Sequence, residues 1–346
     1  METKTKGYAS QLRAGEKPTL KTISRISGLA VPTVSRALSD APDIKQDTKV
    51  LIRQIAKEIG YVPNRAGVRL RTGRTNVISL VLSTENDAMN HTAKLISSLS
   101  DALSDTPLHL IVTTYQPDED PMNPIRYLVE TKSADAVILN QTTPDDPRIT
   151  YLQKNKMPFA CHGRSEHAQA YPYFDFDNEG FGYLGIEKLH TLSRTEIVML
   201  APPKEHSYAM HMTKGALRAA EKFGVSLTIF DDISSDDGTV AVREKLAAKL
   251  SGGLSFDGIM CGSTSSAIGA VVALEDHGKV VGTDFDVIGK EAMPFLTLFR
   301  REIIAMQEDV GEAGAFLAKA ALAAIREPDA PPLQKLDVPT REGIGL

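Results

Sequence analysis

The chain has 346 residues, 42% hydrophobic and 24% charged, a composition ordinary for a soluble protein and long enough for two or three domains with their own cores. Its net charge of −5 conceals an uneven split: 15 Lys/Arg face 6 Asp/Glu up to Arg74, a net of +9, whereas the remainder holds 24 against 38, a net of −14. A basic head on an acidic body suits a nucleic-acid module joined to a part that should not bind nucleic acid. Two cysteines, Cys161 and Cys261, suggest neither a disulfide framework nor a thiolate metal site. No run approaches the roughly eighteen apolar residues of a membrane span, and the polar N-terminus lacks a signal-peptide core, so a cytoplasmic location is expected.

In chain order, residues 1–16 contain few apolar side chains and are expected to form a flexible tail, with Lys4, Lys6 and Arg13 available for weak phosphate contacts. From Leu20 to Leu38, apolar residues fall at Leu20, Ile23 and Ile26, then at Val34, Ala37 and Leu38, with Gly28 between them. That is helix spacing on both sides of a residue suited to a positive φ, hence helix, turn, helix. Pro32 fits a first helical position, which makes Val31 the expected N-cap. In such a unit the N-terminal part of the second helix meets base edges, so Val31, Pro32, Thr33 and Arg36 should face DNA, with Ser35 and Thr33 donating to phosphates. Arg36 can grip guanine or a phosphate. A third helix, roughly Lys45–Glu58, offers Val50, Leu51, Ile55 and Ile59 as its core face and stops at Gly60 to Pro63.

The stretches PTLKTISRISGLAVPTVSRALSD and IAKEIGYVPNRAGVRLRTGRTN, with their spacing, resemble the lactose-repressor (LacI/GalR) family of bacterial transcription regulators. The resemblance puts base-reading residues on Val31, Pro32 and Arg36, and a hinge helix on Asn64–Arg71. It puts on Leu70 the leucine that members wedge into the minor groove, flanked by Arg65, Arg69 and Arg71 for phosphates. Thr19 and Asn64 complete the expected DNA contacts. Ala30 departs from the family's usual serine cap.

Past Val77, short apolar runs alternate with helix-like segments. Strands are expected at Val77–Leu82, Leu108–Thr113, Ala136–Leu139 and Pro158–Cys161, with helices at His91–Leu103 and Pro124–Glu130 between them. After Tyr173–Asn178 the alternation restarts, with helices at Glu179–His190, Thr213–Phe223, Gly238–Leu250 and Ser265–His277. The strands among them are Ile197–Leu200, Ser226–Phe230, Gly258–Met260 and Phe285–Ile288. This predicts two lobes of parallel sheet with helices on both faces and a cleft between them. The expected fold is thus a helix-turn-helix headpiece (17–63), a hinge (64–76) and a body (77–346) of two periplasmic-binding-protein-like lobes, as the resemblance also implies. Lobe 1 is expected at about 77–175 with a return near 296–325, and lobe 2 at about 176–295 plus the C-terminus.

Polar residues just past strand ends resemble the family's effector-lining positions: Glu85, Asn90, Asn140, His162 and Arg164 from the first lobe, Tyr208, His211, Ser263 and Glu291 from the second. Carboxylates, amides and imidazoles can pair with vicinal hydroxyls, and Tyr208 can stack on a sugar ring. Each equally reads as a helix cap or turn residue. Departures include Met212 where members often have arginine, Ser263-Thr264 for Asn-Asp, Gly289–Ala292 for Gly-Tyr-Asp-Asp, and the absence of tryptophan. No nucleophile elbow, His-Glu-x-x-His, phosphate loop or metal-spaced histidines are found, so no enzyme, cofactor or metal is expected.

The resemblance implies a homodimeric repressor of carbohydrate genes that leaves a pseudo-palindromic operator when a sugar-type effector enters the cleft. When bound to DNA it would be nucleoid-associated. An activator or co-repressor-dependent regulator of the same architecture, or a ligand-binding protein with a nonfunctional headpiece, stays open. A proline-rich tail without heptads makes a tail-built tetramer unexpected.

Overall fold

The computed structural model describes residues 7–13, 15–62, 67, 69, 73–84 and 89–345, excepting the side chains of residues 89 and 90. The chain falls into two units, Met1–Thr75 and Asn76–Leu346. The expected contacts Asn64, Arg65, Leu70 and Arg71, with most of the hinge, lie outside the described residues, as do Glu85 and the side chain of Asn90.

In the first unit α1 (Leu20–Ser27), α2 (Val31–Leu38) and α3 (Gln46–Glu58) enclose a small core. Ile23, Val34, Ala37, Ile52 and Ile55 are fully buried, each large side chain contributing about 1.5–3 kcal/mol. Gly28 ends α1 at φ 71°, as its place between the helices requires. Three expectations are corrected. The N-cap of α2 is Ala30 rather than Val31, because the Ala30 carbonyl already accepts the Val34 N–H at 3.0 Å. On α3, Val50 is exposed and Ile52 takes its core position. The Tyr8–Gln11 turn, expected within a flexible tail, packs Tyr8 and Leu12 on this core, and the Tyr8 N–H donates to Glu58 Oε2 at 2.8 Å.

The second unit holds two parallel sheets. The first has the order β11-β5-β4-β3-β1-β2, built from β1 (Val77–Ser83), β2 (His109–Tyr115), β3 (Ala136–Leu139), β4 (Phe159–His162), β5 (Tyr173–Phe176) and β11 (Gln334–Asp337). In β1 the side chains alternate: Ile78 and Leu80 enter the core under α4 (Met89–Leu103) and α12 (Val310–Arg326), while Val77 and Val81 enter the one under α5 (Met122–Glu130) and α6 (Pro147–Lys154). Helix α6 was not anticipated, since its buried apolar residues are only Ile149 and Leu152.

The second sheet has the order β10-β9-β8-β6-β7, from β6 (Glu196–Leu200), β7 (Ser226–Ile229), β8 (Gly258–Cys261), β9 (Asp286–Glu291) and β10 (Ile304–Gln307). Helices α7 (Asn178–Thr191) and α8 (Ser207–Phe223) cover one face, α9 (Thr239–Ser251) and α10 (Thr264–Asp276) the other. The segment Leu296–Gln307, expected to return to lobe 1, stays in lobe 2. Leu296, in the short helix α11 (Leu296–Phe299), is buried in that lobe's core, and β10 pairs with β9.

The return begins at Glu308, and α12 completes lobe 1. The C-terminal stretch, expected in lobe 2, is divided: β11 extends the lobe 1 sheet, and among the described residues Ile344 reaches the lobe 2 core. The chain therefore crosses between lobes three times, near 176–178, 307–310 and 337–342. The crossings are joined by Asp177 N–H to the Asp337 carbonyl at 2.7 Å and Asp309 N–H to Asp337 Oδ2 at 3.3 Å.

Candidate functional site

In the headpiece, Thr19 accepts the Thr22 N–H while Thr22 Oγ1 accepts the Thr19 N–H, a reciprocal capping box that starts α1. Glu16 takes the Thr22 hydroxyl at 2.9 Å and pairs with Arg25 at 2.7 Å; hydrogen bonds from the Arg13 backbone and Thr22 hold its carboxyl down at about 2. Along α2, Pro32 and Arg36 are exposed, and Val31, Thr33 and Ser35 half-buried, so the expected DNA-facing residues share an accessible helix. Arg36 pairs with Asp43 at 2.5 Å, and both side chains are about half exposed. Arg69 is exposed.

In the body, strand order reverses beside β1, which has β2 on one side and β3 on the other, and again beside β6, between β7 and β8. Loops leaving the carboxyl ends of neighbouring strands diverge at such points and leave a crevice. A cavity of about 440 Å³ lies there, lined by Asn140 and Gln141 after β3, Gly262 and Ser263 after β8, and residues of both lobes around them.

Of the expected effector residues that are described, Asn140, His162, Tyr208, Ser263 and Glu291 line this cavity. Asn140 Oδ1 accepts from His162 Nδ1 at 3.0 Å. Tyr208 stacks on His206 at 5.2 Å and donates to Asp236 at 3.0 Å. Ser263 caps α10, accepting the Ser266 N–H and donating to the Ser235 carbonyl at 2.7 Å. Glu291 Oε2 accepts the N–H groups of Phe295 and Leu296 at 2.9 and 2.7 Å, whereas its buried Oε1 has no hydrogen-bond partner among the described residues.

Arg164 and His211 do not line the cavity. Arg164 acts instead on Asp175, its Nε donating to Oδ2 at 2.6 Å. Burial and the neighbouring Arg164 charge push the His211 imidazole below its ordinary value.

Residues that sequence reasoning did not single out supply most of the cavity's charge: His91, Asp175, Asp236, Lys290 and Glu308. Glu308 follows the end of β10, a strand not anticipated from the sequence. Asp175 sits inside β5 and gives no such signal. Lys290 Nζ lies 2.9 Å from Glu308 Oε2, an ion pair rather than an aligned hydrogen bond, and 3.3 Å from Asn178 Oδ1. His91 Nε2 and His162 Nε2 approach Glu308 Oε1 at 3.3 and 3.7 Å.

Burial opposes charge on Glu308, but Lys290 and the two histidines hold its carboxyl well below the usual range. Burial and His91 push His162 down to about 3, so at neutral pH its approach to Glu308 is not an ion pair. Burial raises Asp175 to about 7 against the pull of Arg164.

Two family models match the chain: "Bacterial regulatory proteins, lacI family" over residues 19–64, and "Periplasmic binding proteins and sugar binding domain of LacI family" over 75–301. The HTH-type transcriptional regulator AglR of Rhizobium meliloti is 28% identical over 92% of this chain and 90% of its own. RafR of Escherichia coli, another HTH-type transcriptional regulator, is 31% identical over 77% of this chain and 79% of its own. Among solved structures, a lac repressor dimer bound to operator and an anti-inducer superposes with a TM-score of 0.81 at 17% identity, covering 94% of this chain and 97% of that one. A CelR–cellobiose complex gives 0.66 at 21% identity, covering 94% and 98%. Among the described residues no helix is long and apolar enough to cross a membrane.

Proposed function

Since the chain belongs to the LacI family of bacterial regulatory proteins and is an HTH-type transcriptional regulator, we propose that it is a homodimeric repressor of carbohydrate uptake or catabolism genes that a sugar releases from DNA. Each headpiece reads half of a pseudo-palindromic operator, with Arg36, Thr33, Ser35, Val31 and Pro32 of α2 in the major groove and Thr19 at the start of α1 on the backbone. The hinge residues Asn64, Arg65, Arg69 and Arg71 contact the backbone, and Leu70 wedges into the minor groove. The protein acts in the cytoplasm on nucleoid DNA and catalyses no reaction.

The observation that carries the sugar reading is the interlobe cavity of about 440 Å³, within the usual range for small ligands. Its wall offers carboxylate, amide and hydroxyl groups from both lobes, including the unpaired Oε1 of Glu291, suited to paired hydrogen bonds with vicinal hydroxyls. Phe295, also in the wall, supplies an apolar ring face in a chain without tryptophan. A relative of the same fold in complex with cellobiose supports a carbohydrate. A ligand touching both lobes favours one relative angle of the lobes, and its differential affinity for the two states sets the effect on DNA binding.

The test is fluorescence anisotropy of the chelator-treated protein on its own upstream DNA, with and without a panel of mono- and oligosaccharides. Salt-sensitive binding relieved by one sugar is expected. Binding tightened by the sugar would replace induction with co-repression, and no preference over unrelated DNA would overturn the reading.

A further inference from the structure

His162 presents a bare nitrogen to an anionic oxygen. Its Nδ1 is 3.0 Å from Asn140 Oδ1, a carbonyl oxygen that only accepts, so Nδ1 carries the proton and Nε2 keeps its lone pair. Nε2 faces Glu308 Oε1 at 3.7 Å, and among the described residues it has no hydrogen-bond donor. His91 brings a second imidazole: its ring stacks on that of His162 with centroids 5.1 Å apart, and its Nε2 lies 3.3 Å from the same carboxylate oxygen. Three potential ligand atoms thus converge within 4.8 Å of one another.

We propose that His91, His162 and Glu308 form a site for one divalent transition-metal ion of the zinc type in the wall of the cleft. Nothing in this depends on the sugar reading. Zinc bonds of about 2.0–2.2 Å in a tetrahedron place neighbouring ligand atoms about 3.3–3.6 Å apart, and the two nitrogen–carboxylate separations are already 3.3 and 3.7 Å. The surrounding contacts have the form that orients metal ligands, with a carbonyl fixing the distal nitrogen of His162 and a cation holding the distal oxygen of Glu308. Lys290 leaves Oε1 to the ion while lowering the site's net negative charge. Two imidazoles and one carboxylate suit zinc, nickel or copper rather than calcium or magnesium, which prefer all-oxygen shells. His91 meets the ion through Nε2 when its ring proton sits on Nδ1. All three ligand residues line the cavity, so a fourth ligand would enter from it. As the histidines belong to lobe 1 and Glu308 to a crossing between lobes, the ion ties that crossing to lobe 1.

The experiment is titration of tag-free, chelator-treated full-length protein with Zn²⁺ alone, against a chromophoric chelator, followed by the visible spectrum of the Co²⁺ form. One ion per chain is expected, with visible d–d bands of tetrahedral rather than octahedral intensity and no thiolate charge-transfer band, because Cys161 and Cys261 are both buried. Glu308→Gln and His91→Asn should each weaken binding by about 10-fold or more, at least the loss seen when a group that merely orients a ligand is removed. His91 is the partly exposed member, so H91N decides the matter if E308Q does not fold, as judged by circular dichroism. Absence of stoichiometric binding at micromolar zinc overturns the proposal, as does binding of equal strength in H91N. The sugar-release assay uses chelated protein, so either reading can fail without the other.

Discussion

The Asp175 carboxyl changes charge near neutrality, and the direction of its effect is fixed. Burial raises its folded value to about 7 from 3.8, against the opposing pull of Arg164, so folding takes up a proton between those limits. The associated stabilisation is complete below the unfolded value and is lost as pH rises through about 7. The melting temperature of Asp175→Asn relative to wild type should therefore climb from about pH 4 to about pH 8; thermal melts showing a constant difference would refute the raised value. Arg36 presents a different balance. Its pairing with exposed Asp43 is worth about 0–1 kcal/mol, so DNA can displace it at little cost. Arg36→Ala should weaken operator binding by about 1–3 kcal/mol while leaving sugar affinity and melting temperature unchanged. Anisotropy and calorimetry on the same variant check this, and unchanged DNA affinity would place α2 elsewhere.

Helices α7 and α8 pack backbone against backbone through two glycines. A Cβ at Gly215 would lie 1.9 Å from the Glu179 carbonyl oxygen, and one at Gly182 would lie 2.1 Å from that of Met212. Neither backbone can yield as a flexible side chain would, so Gly215→Ala should cost about 1–3 kcal/mol or more and lower the melting temperature. An unaltered melt would mean the helices separate cheaply. Legibility also differs by element. Central strands such as β1 and β3 are runs of buried apolar residues that sequence reading finds, and the loops after them led to Asn140, Tyr208 and Ser263. Strand β11, Gln-Lys-Leu-Asp, has no such run and takes its structure from pairing with β5. Asp175 and Lys290 lie within strands, and Glu308 in a crossing, so their convergence depends on strand order and not on any local pattern. The same reason hides the His91–His162–Glu308 cluster from any search for metal-ligand spacing.

At the scale of the whole chain, charge is segregated: a net of +9 precedes residue 75 and −14 follows. DNA affinity should fall steeply with salt, with a slope of about −0.9 in log–log form for each phosphate neutralised, while affinity for an uncharged sugar stays flat. Titrations at several salt concentrations measure both, and parallel slopes would contradict the division of labour. The three crossings bear on the order of synthesis. Lobe 1 begins with β1 but is completed by α12 and β11, and the core of lobe 2 includes Ile344. The first sheet lacks β11 until Asp337 has emerged and the second lobe lacks Ile344 for longer still, whereas the described residues of the headpiece core end at Tyr61. On the ribosome, then, the reader is assembled before the sensor, and a nascent chain passes through an interval in which nothing yet answers to ligand.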